Sequence, residues 1–170
     1  MMGIIPYKDR KPALHASVFV ADGAKIIGDV EFGEHSGIWF NAVIRGDMNF
    51  IHIGSRTNVQ DNSVLNVTSK TAPLNIGSNV TIGHSVILHG CTIDDCCLIG
   101  MSAVVLDKVH VHQNSMIAAG AIVLEGFDVP EGMLVVGIPA TGKRALTEEE
   151  KQFIRQSATN YVGYIQAYQS

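Results

Sequence analysis

A six-residue period runs through most of this 170-residue chain and restricts what it can fold into. In sixes counted from Leu14, the first position is nearly always Ile, Val or Leu, and the second is often Gly. The fifth position is small or compact: Val30, Ser36, Ala42, Thr57, Ser63, Val80, Cys91, Cys97, Ala103, Ser115 and Ala121. This pattern predicts an all-β chain, a left-handed parallel β-helix of hexapeptide repeats with a C-terminal α-helix. The first position fills the interior, and we expect the frequent Gly to relax the tight turn.

The repeat loses phase at three places, and the first is a short slip just before Ile53. Residues 69–75 interrupt it and predict a loop. The repeat that begins at Ile82 has only five residues, IGHSV, so the next repeat begins at Ile87. In this register Ile87 points into the prism, and His84 and His89 are each the third residue of their repeat. We therefore expect the two histidines near different corners of one coil.

Composition limits the partners of such a fold. Apolar residues make up 46% of the chain and aromatic residues only 6%, which favours a core of small and branched aliphatic side chains. The net charge of −4 and the absence of a basic tract argue against nucleic acid and anionic membranes. No signal-peptide pattern or apolar run of about 20 residues occurs. Three cysteines fit a reducing compartment, so we expect a cytoplasmic protein.

The end of the chain follows a different pattern. The repeat stops at residues 137–140, which divides the chain into a β-helix domain, 1–140, and a helix packed on the prism, 141–170. Thr147 and Glu150 form a capping-box pattern. An amphipathic stripe follows, with apolar or aromatic residues at spacings of threes and fours: Ile154, Ala158, Tyr161, Ile165 and Tyr168. Prisms with exposed apolar sides associate with copies of themselves, and a homotrimer is a natural closed form.

The histidines are the main candidates for chemistry. We interpret His15, His35, His110 and His112 as solvated corner residues and His52 as a loop residue. His84 and His89 could share a metal ion only across a subunit interface, and zinc suits two imidazoles plus oxygen. Counting back one coil places Asn66 beside His89. Its neutral amide is a poor zinc ligand, so an empty site is the alternative.

Several motifs together are similar to a known family. They are Arg45-Gly46-Asp47, Thr57-Asn58-Val59-Gln60-Asp61, Gly83-His84 and His89-Gly90-Cys91. The chain resembles the gamma-class carbonic anhydrases, and most of all their shorter bacterial relatives, called hexapeptide transferases or ferripyochelin-binding-like proteins. The similarity covers nearly the whole chain, including Asn160-Tyr161 near its end.

The resemblance implies a homotrimer with metal sites at its interfaces and carbon dioxide or bicarbonate as substrate. His84 would come from one subunit and His89 from the next. Arg45 and Asp47 would tie subunits together by an ion pair. Gln60 would orient the water on the metal, and Asp61 and Tyr161 would line the pocket as catalytic residues.

Two positions depart from the family pattern. Asn66 stands where the family has its first histidine ligand, and Met48 stands where the most active members carry a glutamate. The inserted segment 69–75 also lacks a carboxylate that could move protons. These departures imply weaker zinc binding and slow hydration.

Two other functions fit the same repeat. The first is a hexapeptide acyltransferase that binds acyl-CoA between subunits and uses His84 or His89 as general base. Only Lys143 and Arg144 offer positive charge near the last coils. The second is a non-catalytic trimer that has lost the site. Cys91 and Cys97 occupy interior positions, which argues against nucleophilic roles for them.

Overall fold

The computed structural model describes residues 3–169 and has the architecture that the repeat predicts, a left-handed parallel β-helix followed by one α-helix. The strands are β1 (Ile4–Ile5), β2 (Ala13–Leu14), β3 (Phe19–Val20), β4 (Lys25–Phe32), β5 (Gly37–Ile38), β6 (Val43–Ile53), β7 (Asn58–Val59), β8 (Val64–Asn66), β9 (Leu74–Ile76), β10 (Thr81–Ile82), β11 (Ile87–His89), β12 (Thr92–Ile93), β13 (Leu98–Ile99), β14 (Val104–Val105), β15 (His110–Val111), β16 (Met116–Ile117), β17 (Ile122–Val123), β18 (Asp128–Val129), β19 (Met133–Gly137) and β20 (Ala140–Ala145). The helix α1 spans Glu148–Gln169. Among residues 3–169, no helix is long and apolar enough to cross a membrane.

Stacked coils give the prism three faces. The helix face consists of β3, β5, β7, β10, β13, β16 and β19 in parallel order, and α1 packs on it. A second face contains β8, β11, β14 and β17, and a third contains β9, β12, β15 and β18. The long strands β4 and β6 pass from the second face to the third, with a register shift at the bend.

The second and third faces differ in their outward side chains. On the second face, which we call the apolar face, the outward column begins at Lys25 and continues with Val43, Val64, Ile87, Val104 and Ile122. On the third, which we call the polar face, it consists of Glu31, His52, Asn75, Thr92, His110 and Asp128. Each prism therefore has one face covered by its own helix, one polar face and one apolar face.

The interior confirms most of the predicted positions. All of the small fifth-position residues are buried, and the rest of the core is mainly Ile, Val and Leu. Phe32 also lies in this core, but the branched aliphatics supply most of the apolar area that drives folding.

The phase slip that the sequence places in the repeat beginning at Ile82 lies in the following repeat. Ile87 is 42% exposed, whereas Leu88 is fully buried. The full six is therefore IGHSVI, and the short repeat is LHGCT. Gly90, with a φ of +56°, occupies the corner of that short repeat. Since side chains alternate along a strand, the shift of one residue reverses which side chain enters the core.

The role expected for the second-position glycines is also wrong. A Cβ at Gly100 would lie 2.4 Å from the backbone nitrogen of Ala119, so the next coil leaves no room for a side chain. The left-handed corner conformation instead occurs at the fourth position, as at Asn41 (φ +59°) and Asn62 (φ +61°). Asparagine tolerates this conformation because its short side chain bonds locally.

The C-terminal segment closes the prism before the helix begins. After the bend at Ile138-Pro139, β20 returns antiparallel to β19. The capping box is confirmed: the Glu150 N–H donates to Oγ1 of Thr147 at 3.2 Å, and the Thr147 N–H donates to the Glu150 carboxylate at 2.9 Å. Ile154, Ala158 and Ile165 form the buried part of the predicted stripe.

The capping box should make the helix sensitive to acid. The Arg144 guanidinium, followed by the backbone of Thr147, lowers the pKa of Glu150 from 4.5 to about 2. A lowered pKa means that the carboxylate stabilises the fold fully above pH 4.5 and ceases to do so as the pH falls towards 2. We expect Glu150→Gln to lower the unfolding midpoint at pH 7, with the difference from wild type shrinking below pH 4.5.

Circular dichroism at 222 nm during heating, repeated from pH 7 to pH 2, measures this difference. Glu149→Gln is the matched control, because it removes the same charge from the same helical turn and leaves the ion pair between Glu150 and Arg144 in place. An equal loss in both variants at every pH would contradict a specific role for the Glu150 cap.

Candidate functional site

His84 and His89 lie at opposite edges of the apolar face. His84 follows β10, in the corner between the helix face and the apolar face, and His89 is the last residue of β11. This arrangement agrees with the expectation that they occupy different corners. With the corrected phase, His89 is the second residue of its repeat, and it is the register partner of Asn66 in β8 as predicted.

Each of these imidazoles is held by a carboxylate. Nδ1 of His84 lies 2.7 Å from Oδ2 of Asp61, and Nδ1 of His89 lies 2.6 Å from Oδ1 of Asp107. A carboxylate next to Nδ1 favours the tautomer with its proton there, which leaves the lone pair on Nε2. This is the outer-shell arrangement that orients histidine ligands in metal sites.

Asp107 is itself tied in place. Oγ1 of Thr68 donates a hydrogen bond of 2.6 Å to Oδ2 of Asp107. Partial burial works to raise the pKa of Asp107, but the hydrogen bonds from Thr68 and His89 outweigh it and lower the pKa. The sequence analysis missed this residue, although it lies one coil after His89, at the spacing where such a partner would stack.

Asn66 is engaged by Arg45. Its amide nitrogen donates to the carbonyl oxygen of Arg45 at 2.7 Å, and its Oδ1 accepts from Nη2 of Arg45 at 3.2 Å. The two histidines therefore fit a zinc ion, whereas the third position offers a neutral oxygen that already accepts a hydrogen bond from a cation. Zinc in such a set would be held more weakly than by three imidazoles.

Arg45 and Asp47 form an ion pair within one chain. Nη1 of Arg45 lies 2.6 Å from Oδ2 of Asp47. The other oxygen, Oδ1 of Asp47, is buried without a hydrogen-bond partner among residues 3–169. A buried unpaired carboxylate oxygen is costly. The role of this pair between subunits stays a prediction.

Gln60 belongs to a buried polar network. Its Nε2 donates to Oδ1 of Asn58 at 3.0 Å, and Nδ2 of Asn58 donates to Oγ1 of Thr81 at 3.1 Å. Thr81 in turn donates to Oγ of Ser157 in α1 at 3.1 Å. Because the nitrogen of Gln60 is committed to Asn58, its Oε1 is the atom that can accept a hydrogen bond from water.

Asp61 and Tyr161 line one cavity of about 320 Å³. Its walls consist mainly of aromatic side chains: Trp39, Phe40, Tyr161, Tyr164 and Tyr168. Burial, and then the charge of Asp61, raises the pKa of the Tyr161 phenol, which therefore stays protonated at neutral pH. The cavity combines an apolar wall with a carboxylate and a neutral hydroxyl.

The structure also brings together residues that were expected to be scattered. Asp94, His110 and His112 place one potential ligand atom each within 4.8 Å of one another on the polar face. His110 and His112 are partly exposed, but the expectation that they lie apart is wrong, because their ring centroids are 3.8 Å from each other. Their spacing, His-Val-His, could have indicated the cluster, because residues two apart on a strand face the same way.

The cysteines have no chemical role that the structure supports. Burial raises the pKa of the Cys91 and Cys97 thiols to about 12, so they stay protonated and unreactive. Cys96, at a corner, is partly exposed, and burial again raises its pKa.

Known proteins are similar to this chain in sequence and in architecture. No family model matches the chain. It is 48% identical over 165 residues to gamma carbonic anhydrase 1, mitochondrial, from Arabidopsis thaliana, covering 94% of this chain but only 60% of that protein. It is 42% identical over 167 residues to a carbonic anhydrase from Geobacillus kaustophilus, covering 98% of this chain and 91% of that one.

A solved structure agrees with the sequence matches. The chain superposes on a putative acetyltransferase from Bacillus cereus with a TM-score of 0.94 and 44% identity, covering 97% of this chain and 95% of the other. Both kinds of match extend over the repeats and the terminal helix. The chain belongs to the gamma-carbonic-anhydrase-like family of hexapeptide-repeat proteins.

Proposed function

We propose that this chain forms a homotrimer that holds zinc between His84 of one subunit and His89 of the next and slowly hydrates carbon dioxide to bicarbonate. The observation that carries the proposal is the pair of carboxylate-held imidazoles at the two edges of one apolar face. Each ring can offer the lone pair of Nε2 to a metal ion, but the two rings lie at different corners of the same coil. Neighbouring copies are needed to bring them together.

The apolar face supports the association. Val64 and Ile87, in the middle of its outward column, are 40% and 42% exposed. An aliphatic column of this kind gains free energy when a second surface removes it from water. In a ring, one edge of the apolar face meets the opposite edge of the next copy, so the contact closes after a fixed number of subunits.

Zinc, when bound, supplies Lewis acidity that lowers the pKa of water to about 7 and makes a nucleophile available at neutral pH. Gln60 orients the attacking water, because its fixed amide presents Oε1 as an acceptor. The aromatic wall around Trp39 and Phe40 accommodates an apolar molecule such as carbon dioxide. Addition of water to its carbon gives bicarbonate and a proton, which must leave the site.

Proton release limits the rate in this proposal. Met48 is exposed at the position where a glutamate would serve as proton carrier, and it cannot hold a proton. Burial raises the pKa of the Tyr161 phenol, which therefore stays protonated at neutral pH and does not accept the released proton. Turnover then depends on buffer or water reaching the site directly.

Acyl transfer from acyl-CoA is the second candidate, because the Bacillus cereus neighbour is named a putative acetyltransferase. Such a reaction needs positive charge for the phosphates of the cofactor. Both terminal nitrogens of Arg144 are bound to Glu150 at 2.7 Å, so this cation is already paired. The structure therefore favours this candidate less.

Metal content and carbon dioxide hydration of the purified, zinc-loaded protein test the proposal together with the variant His89→Ala. We expect the variant to lose one zinc per chain and to hydrate carbon dioxide about a hundredfold more slowly, about 2.7 kcal/mol in the barrier. It should remain a folded oligomer, because the His89 side chain lies outside the core, and should lose only the part of the unfolding midpoint that the interface zinc contributes.

His15→Ala is the control, since it removes an exposed imidazole at another corner. Undiminished hydration in His89→Ala would exclude the proposed metal site. Turnover of acetyl-CoA without any hydration would support the acyltransferase, and neither activity in the zinc-loaded trimer would indicate a protein that has kept the assembly alone.

A further inference from the structure

We propose that the polar face carries a second metal site, in which Asp94, His110 and His112 bind a zinc-class divalent ion and Asp128 fixes the orientation of His112. The site is built entirely within one chain. It lies on the polar face, whereas His84 and His89 lie at the edges of the apolar face. It therefore needs no neighbouring subunit and does not depend on the proposed hydration activity.

The repeat explains why these residues meet. β12, β15 and β18 are consecutive parallel strands of the polar face, with Thr92, His110 and Asp128 in register. Val111 points into the core and is fully buried, so His110 and His112 on either side of it point outward together. Asp94 follows β12 one coil earlier. Stacked coils bring such outward side chains within about 5 Å of one another.

The donor atoms converge on the Asp94 carboxylate. Nε2 of His110 lies 3.0 Å from Oδ1 of Asp94, and Nδ1 of His112 lies 3.5 Å from Oδ2. The two imidazole rings are tilted by 32° to each other, with their centroids 3.8 Å apart. All three side chains are part-exposed, so an ion from solution can reach them.

Asp128 determines which ring nitrogen of His112 binds the metal ion. Its Oδ1 lies 3.0 Å from Nε2 of His112 and accepts a hydrogen bond from it. With the proton on Nε2, the lone pair is on Nδ1, which is the nitrogen that faces Asp94. A carboxylate that holds the far nitrogen of a ligating histidine is a regular feature of metal sites. The same arrangement holds His84 and His89 in the first site.

Two imidazoles and one carboxylate favour zinc or copper over magnesium or calcium, and water would complete the coordination. An ion bound here would join the coils of β12 and β15 directly and that of β18 through Asp128. It would therefore stabilise the C-terminal half of the prism, because it binds the folded state alone.

Calorimetric titration of the metal-stripped protein with zinc chloride at pH 7.5 tests the site. We expect the double variant His110→Asn/His112→Asn to bind one zinc fewer per chain than wild type and to lose part of the rise in unfolding midpoint that zinc produces. We expect Asp128→Asn to keep the stoichiometry but to bind this ion on the order of 10–100-fold more weakly.

The control is His15→Asn/His35→Asn, which removes two exposed imidazoles from other corners. Repeating the titration in a His89→Ala background separates the two sites: loss of the interface ion must leave the polar-face ion bound. The inference is overturned if His110→Asn/His112→Asn folds with the wild-type midpoint and binds as much zinc, with the same affinity, as wild type. That result would leave the cluster as hydrogen-bonded pairs alone.

Discussion

Ile87→Glu is expected to convert the assembled protein into folded monomers. Ile87 lies in the middle of the apolar face and points outward, so the substitution leaves the core intact. In an oligomer closed by this face, each copy would bury a carboxylate without a partner, which costs several kcal/mol. Light scattering after gel filtration measures the mass, and circular dichroism reports the fold.

The matched control is Thr92→Glu, which introduces the same charge on β12 of the polar face. We expect it to elute with the mass of wild type. If both variants keep the wild-type mass, or if wild type itself is monomeric at micromolar concentration, then the apolar face is not the interface. The shared metal site would then be excluded as well.

Asn66→His is expected to raise the affinity for zinc roughly tenfold or more, about 1.4 kcal/mol, and to increase carbon dioxide hydration in parallel. The reason is the register: Asn66 lies directly beside His89 on the neighbouring strand. An imidazole in that place replaces an amide oxygen that Arg45 already occupies. Arg45 keeps its ion pair with Asp47, so the loss of its two hydrogen bonds with Asn66 should not alter the corner.

Asn66→Gln provides the comparison, because it keeps an amide and adds length without an imidazole. Zinc dialysis and stopped-flow hydration should then distinguish the two variants clearly. Equal zinc affinity in wild type, Asn66→Gln and Asn66→His would mean that position 66 does not face the ion, even if the histidines bind it.

The period of the sequence predicts the fold well because each position of the repeat has a fixed place, in the core, at a corner or on the surface. Small residues such as Ala103 and Ser115 are buried where the pattern places them, and the stacking of Asn66 on His89 follows from counting one coil. The place of the phase slip could not be read in the same way. Ile87 and Leu88 are adjacent, similar in size and equally apolar, so only the geometry of the corner at Gly90 decides which one enters the core.

The outer partners of the histidines were harder to predict than the histidines themselves. Asp107 and Asp128 are ordinary surface carboxylates in the sequence, and their contacts depend on how tightly each corner turns. The polar-face cluster joins residues from successive coils, and its members meet only when those coils are in register. Side-chain contacts between coils therefore carry information that the repeat pattern alone does not contain.

The antiparallel return of β20 has a consequence for how copies of this protein can grow into larger structures. A solenoid whose last rung ended in an open parallel strand would offer its backbone amides to the first rung of another molecule and could polymerise end to end. Here β19, the last strand of the helix face, is paired with a reversed strand that carries Lys143 and Arg144 at exposed positions. End-to-end addition through the helix face is therefore blocked at that end, which favours sideways association through the flank.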